Sequence, residues 1–407
     1  MSECGDQHVF TRKAQADACF RNKQYRQAKT YYLAAIDAVR DMIRMQNGRC
    51  AIENCLVFQE ERASLTTSLG LVYEAIEDIK EAEECFNVSL SIYREVLARK
   101  TELGLDVVQT FIELHKTASV AGNLFYENCD YAKALSFYEM ALDSPLPPII
   151  SHREKNAQGQ MDTHSQQERP DADGRRAVGQ VNIICNDEKD EEFSQKKMLL
   201  CRADMLHNIA NVFSVLNDTE NSIILYLQAF KLQTEVLGQN DPQVATTLHN
   251  VATSYYRAGR YDEAIRRYRQ VLKYSSQQEN SHHPLTFDAL VGIGMTLAKT
   301  GEWDQALSVY DAALQIPMRD SRQQAKKAAV YNAIGEIHKD AGEEEQALTH
   351  FNTSISIYEA IGLTQDDPRL ATVKTNIKSL EHRPCYDSPR GPKEIDMWSL
   401  FDAFKCR

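Results

Sequence analysis

The chain has 407 residues, with 58 Asp and Glu against 46 Lys and Arg, a formal net charge of −12. Hydrophobic residues at 43% and charged residues at 26% supply a core and exclude disorder as the global state, while 17 Gly and 11 Pro exclude collagen-like or low-complexity character. Net negative charge repels phosphate backbones, so no nucleic-acid partner is expected. No stretch approaches the roughly 18 apolar residues of a membrane helix, so no membrane insertion is expected.

Taken from the N-terminus, the pattern predicts a helix pair opening near Thr11 and marked by Ala16, Ala28, Tyr32 and Ala35. A second pair carries Gly70, Tyr73, Ala82 and Phe86, and a third carries Gly122, Phe125, Ala134, Tyr138 and Ala141. Their first small residues lie 54 and then 52 positions apart, which implies long helices or extra turns. These three fill an N-terminal array over 11–148. Pro145, Pro147 and Pro148 then stop the helical pattern, and a polar stretch predicts a disordered acidic linker over 149–195. Within it, Val181, Ile183 and Ile184 precede a run of acids from Asp187 to Glu192. A β-branched run beside acids resembles a SUMO-interacting motif, which adds a strand to a sheet edge. An apolar anchor that packs the linker back on the array, or the flank of the next helix, is the plainer reading.

A C-terminal array over 196–381 repeats more tightly. Small residues Ala210, Ala252, Gly294 and Gly335 stand 42, 42 and 41 positions apart. Twelve positions after each comes Ser222, Ala264, Ala306 or Ala347, then an aromatic, Tyr226, Tyr268, Tyr310 or Phe351, and then Ala229, Val271, Ala313 or Ser354. Small residues at fixed places let two antiparallel helices approach closely, and the aromatic fills the gap beside them. Gly259 and Gly301 suit left-handed C-caps, and Asp241-Pro242 and His283-Pro284 break the chain before the next helix. Asp367-Pro368 opens a last, capping helix to about Leu380. In the tail, 382–407, Pro384, Pro389 and Pro392 keep the chain extended before a short amphipathic helix bearing Met397, Trp398, Leu400, Phe401 and Phe404. Such a segment can cap the last repeat, occupy the chain's own groove or serve as a handle for another protein.

The core of each unit resembles the tetratricopeptide repeat (TPR), a helix–turn–helix. The 41–42 spacing, the Asp-Pro or His-Pro before each unit and Leu237-Gly238 are similar to the longer repeats of the kinesin light chain family. The resemblance implies an all-α chain, a right-handed α-solenoid of about seven TPR-like helix pairs with a disordered insert. Light chains carry an N-terminal heptad region, and a first repeat near Thr11 leaves no room for one, so the likeness concerns architecture rather than the motor-subunit role.

Nothing in the sequence points to catalysis. Phosphate loops, dinucleotide fingerprints, His-Glu-x-x-His and Gly-x-Ser-x-Gly patterns are missing, and no cofactor or metal is expected. The ten dispersed Cys form no Cys-x-x-Cys pair and fit a reducing, cytoplasmic setting. Function is therefore expected on the concave face lined by the first helices. Its exposed positions in the repeat register are His207, Asn208, Asn211, His249, Asn250, Thr253, Arg257, Met295, Lys299, Asn332 and Lys339. Asn side chains donate and accept at once and suit an extended peptide backbone. The resemblance to light chain repeats gives Asn208 and Asn250 a peptide-contacting role. Arg257, Lys299 and Lys339 favour an acidic peptide with an aromatic anchor. The expected function is a non-enzymatic adaptor that binds peptide segments of partner proteins. A permanent subunit of a larger complex, or a cargo adaptor like the kinesin light chains, is the alternative.

Overall fold

The computed structural model describes residues 2–46, 52–144, 187–276, 284–317 and 320–381. Every regular element among them is helical. In chain order these are α1 (Ser2–Arg21), α2 (Tyr25–Gln46), α3 (Ile52–Ala75), α4 (Ile79–Glu102), α5 (Val108–Glu127), α6 (Tyr131–Leu142), α7 (Asp187–Val215) and α8 (Thr219–Leu237). They continue with α9 (Pro242–Arg257), α10 (Tyr261–Ser276), α11 (Pro284–Thr300), α12 (Trp303–Leu314), α13 (Ser321–Ala341), α14 (Glu344–Ala360) and α15 (Pro368–Glu381). Read along the chain, these are seven helix–turn–helix pairs and a last helix, the all-α repeat the sequence predicts.

The chain divides into two compact units, Met1–Val212 and Phe213–Arg407. Three boundaries differ from expectation. α1 begins at Ser2 rather than near Thr11. α7 begins at Asp187, inside the stretch expected as linker, and the division between units falls within α7 rather than in that stretch. The run from Asp187 to Glu192 that reads as a linker by composition occupies the first turns of α7, where the helix dipole favours anions. The rest of the expected insert, with Val181, Ile183 and Ile184, and the tail residues Met397, Trp398, Leu400, Phe401 and Phe404 lie outside the described residues.

One spacing recurs in every pair. The small residue of the first helix (Ala16, Gly70, Gly122, Ala210, Ala252, Gly294, Gly335) stands sixteen positions before the aromatic of the second (Tyr32, Phe86, Tyr138, Tyr226, Tyr268, Tyr310, Phe351). All seven rings are buried, and the second small residue, from Ala28 through Ala347, is wholly inaccessible in each pair. At four of the seven first positions the residue is glycine because the ring lies where a Cβ would be. A Cβ on Gly122 would come within 2.3 Å of Tyr138, and one on Gly294 within 2.5 Å of Tyr310.

The turn inside each pair is also the same. Seven positions after the small residue the backbone is left-handed, at Lys23, Glu77, Cys129, Asn217, Gly259, Gly301 and Gly342. The next amide closes the turn on the carbonyl five residues back, as in Asp78 to Tyr73 and Arg260 to Tyr255, both at 2.9 Å. Asp78, Asp130 and Asp218 then cap the second helix by accepting from the amides of Glu81, Lys133 and Asn221. Glycine is present in three of these turns only. The first four pairs hold side chains in a conformation that costs L-residues about 1 kcal/mol.

Within the first unit, α1 to α6 pack in succession. Within the second, α8 to α15 do the same, and the first helices α9, α11, α13 and α15 also touch one another in turn. Leu370 and Val373 of α15 are buried with Ala328, Phe351 and Tyr358, so α15 closes the end of the array.

Two substitutions test these rules. Gly294→Val drives a branched side chain into the Tyr310 ring and should destabilise the chain by about 2 kcal/mol, seen as a lower thermal midpoint. Glu77→Gly relieves an exposed left-handed residue (φ 63°) and should raise that midpoint by the equivalent of roughly 0.5 kcal/mol. A fall with Glu77→Gly would show that the unfolded-state entropy of glycine outweighs the strain.

Candidate functional site

The expected site residues are described within the unit that holds each. In the first unit, α7 carries His207, Asn208 and Asn211, all half-buried. The Asn208 amide donates to the Ser119 hydroxyl of α5 at 3.2 Å, so this side chain braces α7 on α5.

In the second unit, α9 carries His249, Asn250, Thr253 and Arg257, α11 carries Met295 and Lys299, and α13 carries Asn332 and Lys339. Asn250, Arg257, Lys299 and Lys339 are partly exposed. The His249 ring rests against Tyr268, with centroids 5.4 Å apart. Arg257 donates through Nη1 to the Ser214 carbonyl at 2.8 Å and to its hydroxyl at 3.2 Å. It therefore fastens the last turn of α7 in addition to placing charge on the surface.

Three residues expected on the open face are instead inside: Thr253, Met295 and Asn332, at 4%, 5% and 0% exposure. The reason is the repeat contact. Thr253 and Met295 directly follow the small residue, a position that turns toward the aromatic of the second helix. There Thr253 meets the Tyr268 hydroxyl at 3.0 Å, as Asn123 accepts from Tyr138 at 2.6 Å and Asp17 from Tyr32. Buried tyrosine hydroxyls need such partners. Asn332 spends its side chain on an internal cluster.

That cluster was not legible in the sequence. Glu336 follows Gly335, but the ring opposite is Phe351, which has no hydroxyl to satisfy. Its Oε1 instead accepts from Asn332 at 3.1 Å and from Asn376 of α15 at 2.7 Å. Asn376 also donates to Asn332 Oδ1 at 3.1 Å. Glu336 Oε2 is buried with no hydrogen-bond partner among the described residues. Burial raises the Glu336 carboxyl above its ordinary range, against the opposing effect of Lys339 and the two amides. Tyr256, Met295, Lys299 and Tyr310 meet Glu336 around a dimple of ≈ 10 Å³.

Two larger clefts were also missed. One, of ≈ 550 Å³ in the first unit, is lined by Val9, Phe10, Val39, Met42, Val57 and Phe58 with Lys13, Asp17 and Glu61 at its edge. The other, of ≈ 580 Å³ in the second unit, lies between α8 and α10 over the start of α9. Each draws on three separate segments, so no local motif announces it.

Side chains with chemical potential have structural roles. His115 is buried beside Phe111 and pushed down to about 4 by burial, so it is a neutral core imidazole. Burial lifts the Cys85 and Cys201 thiols to about 11, out of the reactive range. Among the described residues no group of three His, Cys, Asp or Glu is placed to hold a metal. No described helix is long and apolar enough to cross a membrane.

Residues 201–277 and 285–360 each match the tetratricopeptide repeat family model. Both stretches belong to the tetratricopeptide repeat family. Among solved structures, BtubC (BKLC) from P. vanneervenii is similar at 14% identity and a TM-score of 0.44, covering 70% of this chain and 94% of that one. An array of nearly identical TPR-like repeats from Podosopora anserina, assigned to the kinesin light chains, is similar at 13% identity and a TM-score of 0.40, covering 61% and 97%. A tetratricopeptide repeat protein from Parabacteroides merdae is similar at 14% and 0.42, covering 92% and 99%. Comparison with curated proteins gives no significant match.

The buried carboxylate of this repeat array gives a signed prediction. With its folded pKa raised, Glu336 holds its proton more tightly in the folded chain than in the unfolded one. Stability therefore falls as pH rises from the ordinary carboxylate value through the folded one, and above that window ionisation is a constant cost. Glu336→Gln keeps an acceptor for Asn332 and Asn376 without the charge. It should raise the thermal midpoint at pH 7.5, by the equivalent of about 1 kcal/mol, and the gain should vanish toward pH 4. A less stable variant at pH 7.5 would mean that the hydrogen bonds to the carboxylate outweigh its burial.

Proposed function

We propose that the chain is a non-enzymatic adaptor that binds peptide segments of partner proteins along the first helices of its repeats. The observation that carries this reading is the side-by-side packing of α9, α11 and α13, with Asn250, Arg257, Lys299 and Lys339 partly exposed on them. Three cations and an amide suit an acidic, extended peptide: the amide pairs with backbone, and the cations attract carboxylates. A preformed face on rigid helices loses little entropy on binding, so a mobile partner segment supplies most of the ordering cost. The tail, with Trp398 as anchor, is in this reading a competitor or a passive extension.

One observation favours a second reading, a stable subunit of a larger complex. In the first unit Phe10, Met45, Ile52 and Val57 are 76%, 80%, 53% and 56% exposed. Phe10 and Val57 also line the apolar cleft there, the kind of surface that permanent interfaces cover.

The test is capture on a peptide array. Asn250→Ala with Lys299→Glu should weaken capture of acidic peptides by about tenfold while leaving the thermal midpoint unchanged. Ending the chain at Leu380 should preserve capture. Loss on truncation alone would place recognition in Trp398 and its neighbours and sink the first-helix assignment. A defined hetero-assembly surviving purification, lost on Phe10→Ser with Val57→Ser, would favour the second reading.

A further inference from the structure

We infer that the cleft between α8 and α10 is a separate binding site that takes an acidic peptide segment carrying an apolar side chain. The site lies on a different part of the second unit from the surface just proposed. Consecutive second helices form its walls, and its floor is the N-terminal half of α9, whereas Asn250 and Arg257 lie in the C-terminal half. Its volume of ≈ 580 Å³ falls within the range of sites that bury a ligand, about 300–1,000 Å³.

The chain builds this cleft deliberately at one end. Gly238 turns at φ 84°, closing α8 through a bond from its amide to the Thr234 carbonyl at 3.0 Å. Asp241 accepts from the Gln243 amide at 2.8 Å, and Pro242 begins α9. These two stops hold Gln239 and Asn240 at the edge of the cleft between them. The floor is apolar, with Val244, Ala245 and Leu248 at 2%, 2% and 6% exposure.

The far wall is cationic. Helix α10 carries Arg266, Arg267, Arg269 and Lys273 against Asp262 and Glu263, a local excess of positive charge in a chain of net −12. Glu263 is already engaged by Arg260 at 2.9 Å. Arg267, on the wall, donates through Nη1 to the side-chain Oε1 of Gln270 at 3.2 Å. That partner is neutral, so the guanidinium is positioned there with its charge intact. Arg267 and Lys273 stand six residues apart, about 9 Å along the helix. Carboxylates two residues apart on an extended strand are spaced by about 6.6 Å, within reach of two long, flexible cations. Amides of Gln239, Asn240 and Gln270 can pair with the N–H and C=O of that strand, and the floor receives an aliphatic side chain. The negative charge of the rest of the chain disfavours a long polyphosphate, which leaves a short acidic peptide as the occupant.

The probe is a fluorescein-labelled peptide, Gly-Ser-Glu-Leu-Glu-Leu-Glu-Ser-Gly, titrated with the full chain by anisotropy, alongside its twin with Gln for each Glu. The acidic peptide should bind more tightly than the twin and weaken as salt rises. Arg267→Glu with Lys273→Glu should reduce affinity by about tenfold or more, and Arg267→Gln with Lys273→Gln by less. Asn250→Ala with Lys299→Glu should leave in place the component of binding that the α10 variants remove, which separates the cleft from the first-helix face. The inference fails if the α10 variants bind as the wild type does, or if the Gln twin binds equally. It fails also if only the Asn250 and Lys299 variant loses binding, an outcome that would support the first-helix site instead. Equal competition by a twelve-nucleotide oligothymidylate would identify the cleft as a general polyanion site and overturn the peptide assignment.

Discussion

A small residue in a first helix, set against an aromatic ring in the second as at Gly70, Gly122, Gly294 and Gly335, is the contact on which the rest of the structure depends. It fixes how closely the two helices approach, and so it sets the sixteen-residue spacing from Ala16–Tyr32 to Gly335–Phe351. In three pairs it also gives the next residue a task. Where the ring is Tyr32, Tyr138 or Tyr268, the hydroxyl goes to Asp17, Asn123 or Thr253. Where the ring is Phe351 that demand disappears, and the same position in α13 is released to Glu336, which turns to Asn332 and Asn376. One packing rule thus produces both the monotony of the array and its one described cluster around a buried carboxylate. Because Asn376 belongs to α15, that cluster ties the closing helix to α13 with polar bonds in addition to the apolar contacts of Leu370 and Val373.

The turns carry a second constraint, and the chain meets it unevenly. A left-handed residue is needed seven positions after each small residue. The C-terminal pairs supply glycine, at Gly259, Gly301 and Gly342, while the earlier ones hold Lys23, Glu77, Cys129 and Asn217 in that conformation. Asn tolerates it best among these, since its short polar side chain bonds locally. The absence of glycine hides these four turns in the sequence, although they close with the same hydrogen bond as the others.

How much of this was legible follows from what periodicity encodes. The small and aromatic positions recur at fixed intervals, so the fold and nearly all the helix pairs could be read directly. Depth could not. Thr253, Met295 and Asn332 belong to the correct helices and yet are buried, because a one-residue change of register on a helix rotates a side chain by about 100°. The start of α7 was missed for a different reason: Asp187, Glu188 and Asp190 read as linker by composition but stand at a helix N-terminus. The clefts were invisible because Phe230, Leu248 and Arg267 are distant in sequence and meet only through the repeat packing.

The same packing explains why the partner must be read from charge rather than from fold. In a solenoid each repeat is stabilised by its immediate neighbours, so positions that face neither the small–aromatic contact nor the adjacent pair are free to vary. The second helices use that freedom differently. Helix α10 concentrates Arg266, Arg267, Arg269 and Lys273, whereas α14 opens with Glu344 and Glu345. Both helices bury a small residue and an aromatic ring at equivalent positions, Ala264 and Tyr268 in one and Ala347 and Phe351 in the other. An equivalent core with opposite surfaces means that recognition is written in the outward positions of single repeats. In a chain of net −12 a positive wall stands out against its own background, so an acidic segment is steered to such a wall and repelled from the acidic parts of the surface. Long-range repulsion thereby sharpens, rather than weakens, the selectivity of a short-range cationic cleft.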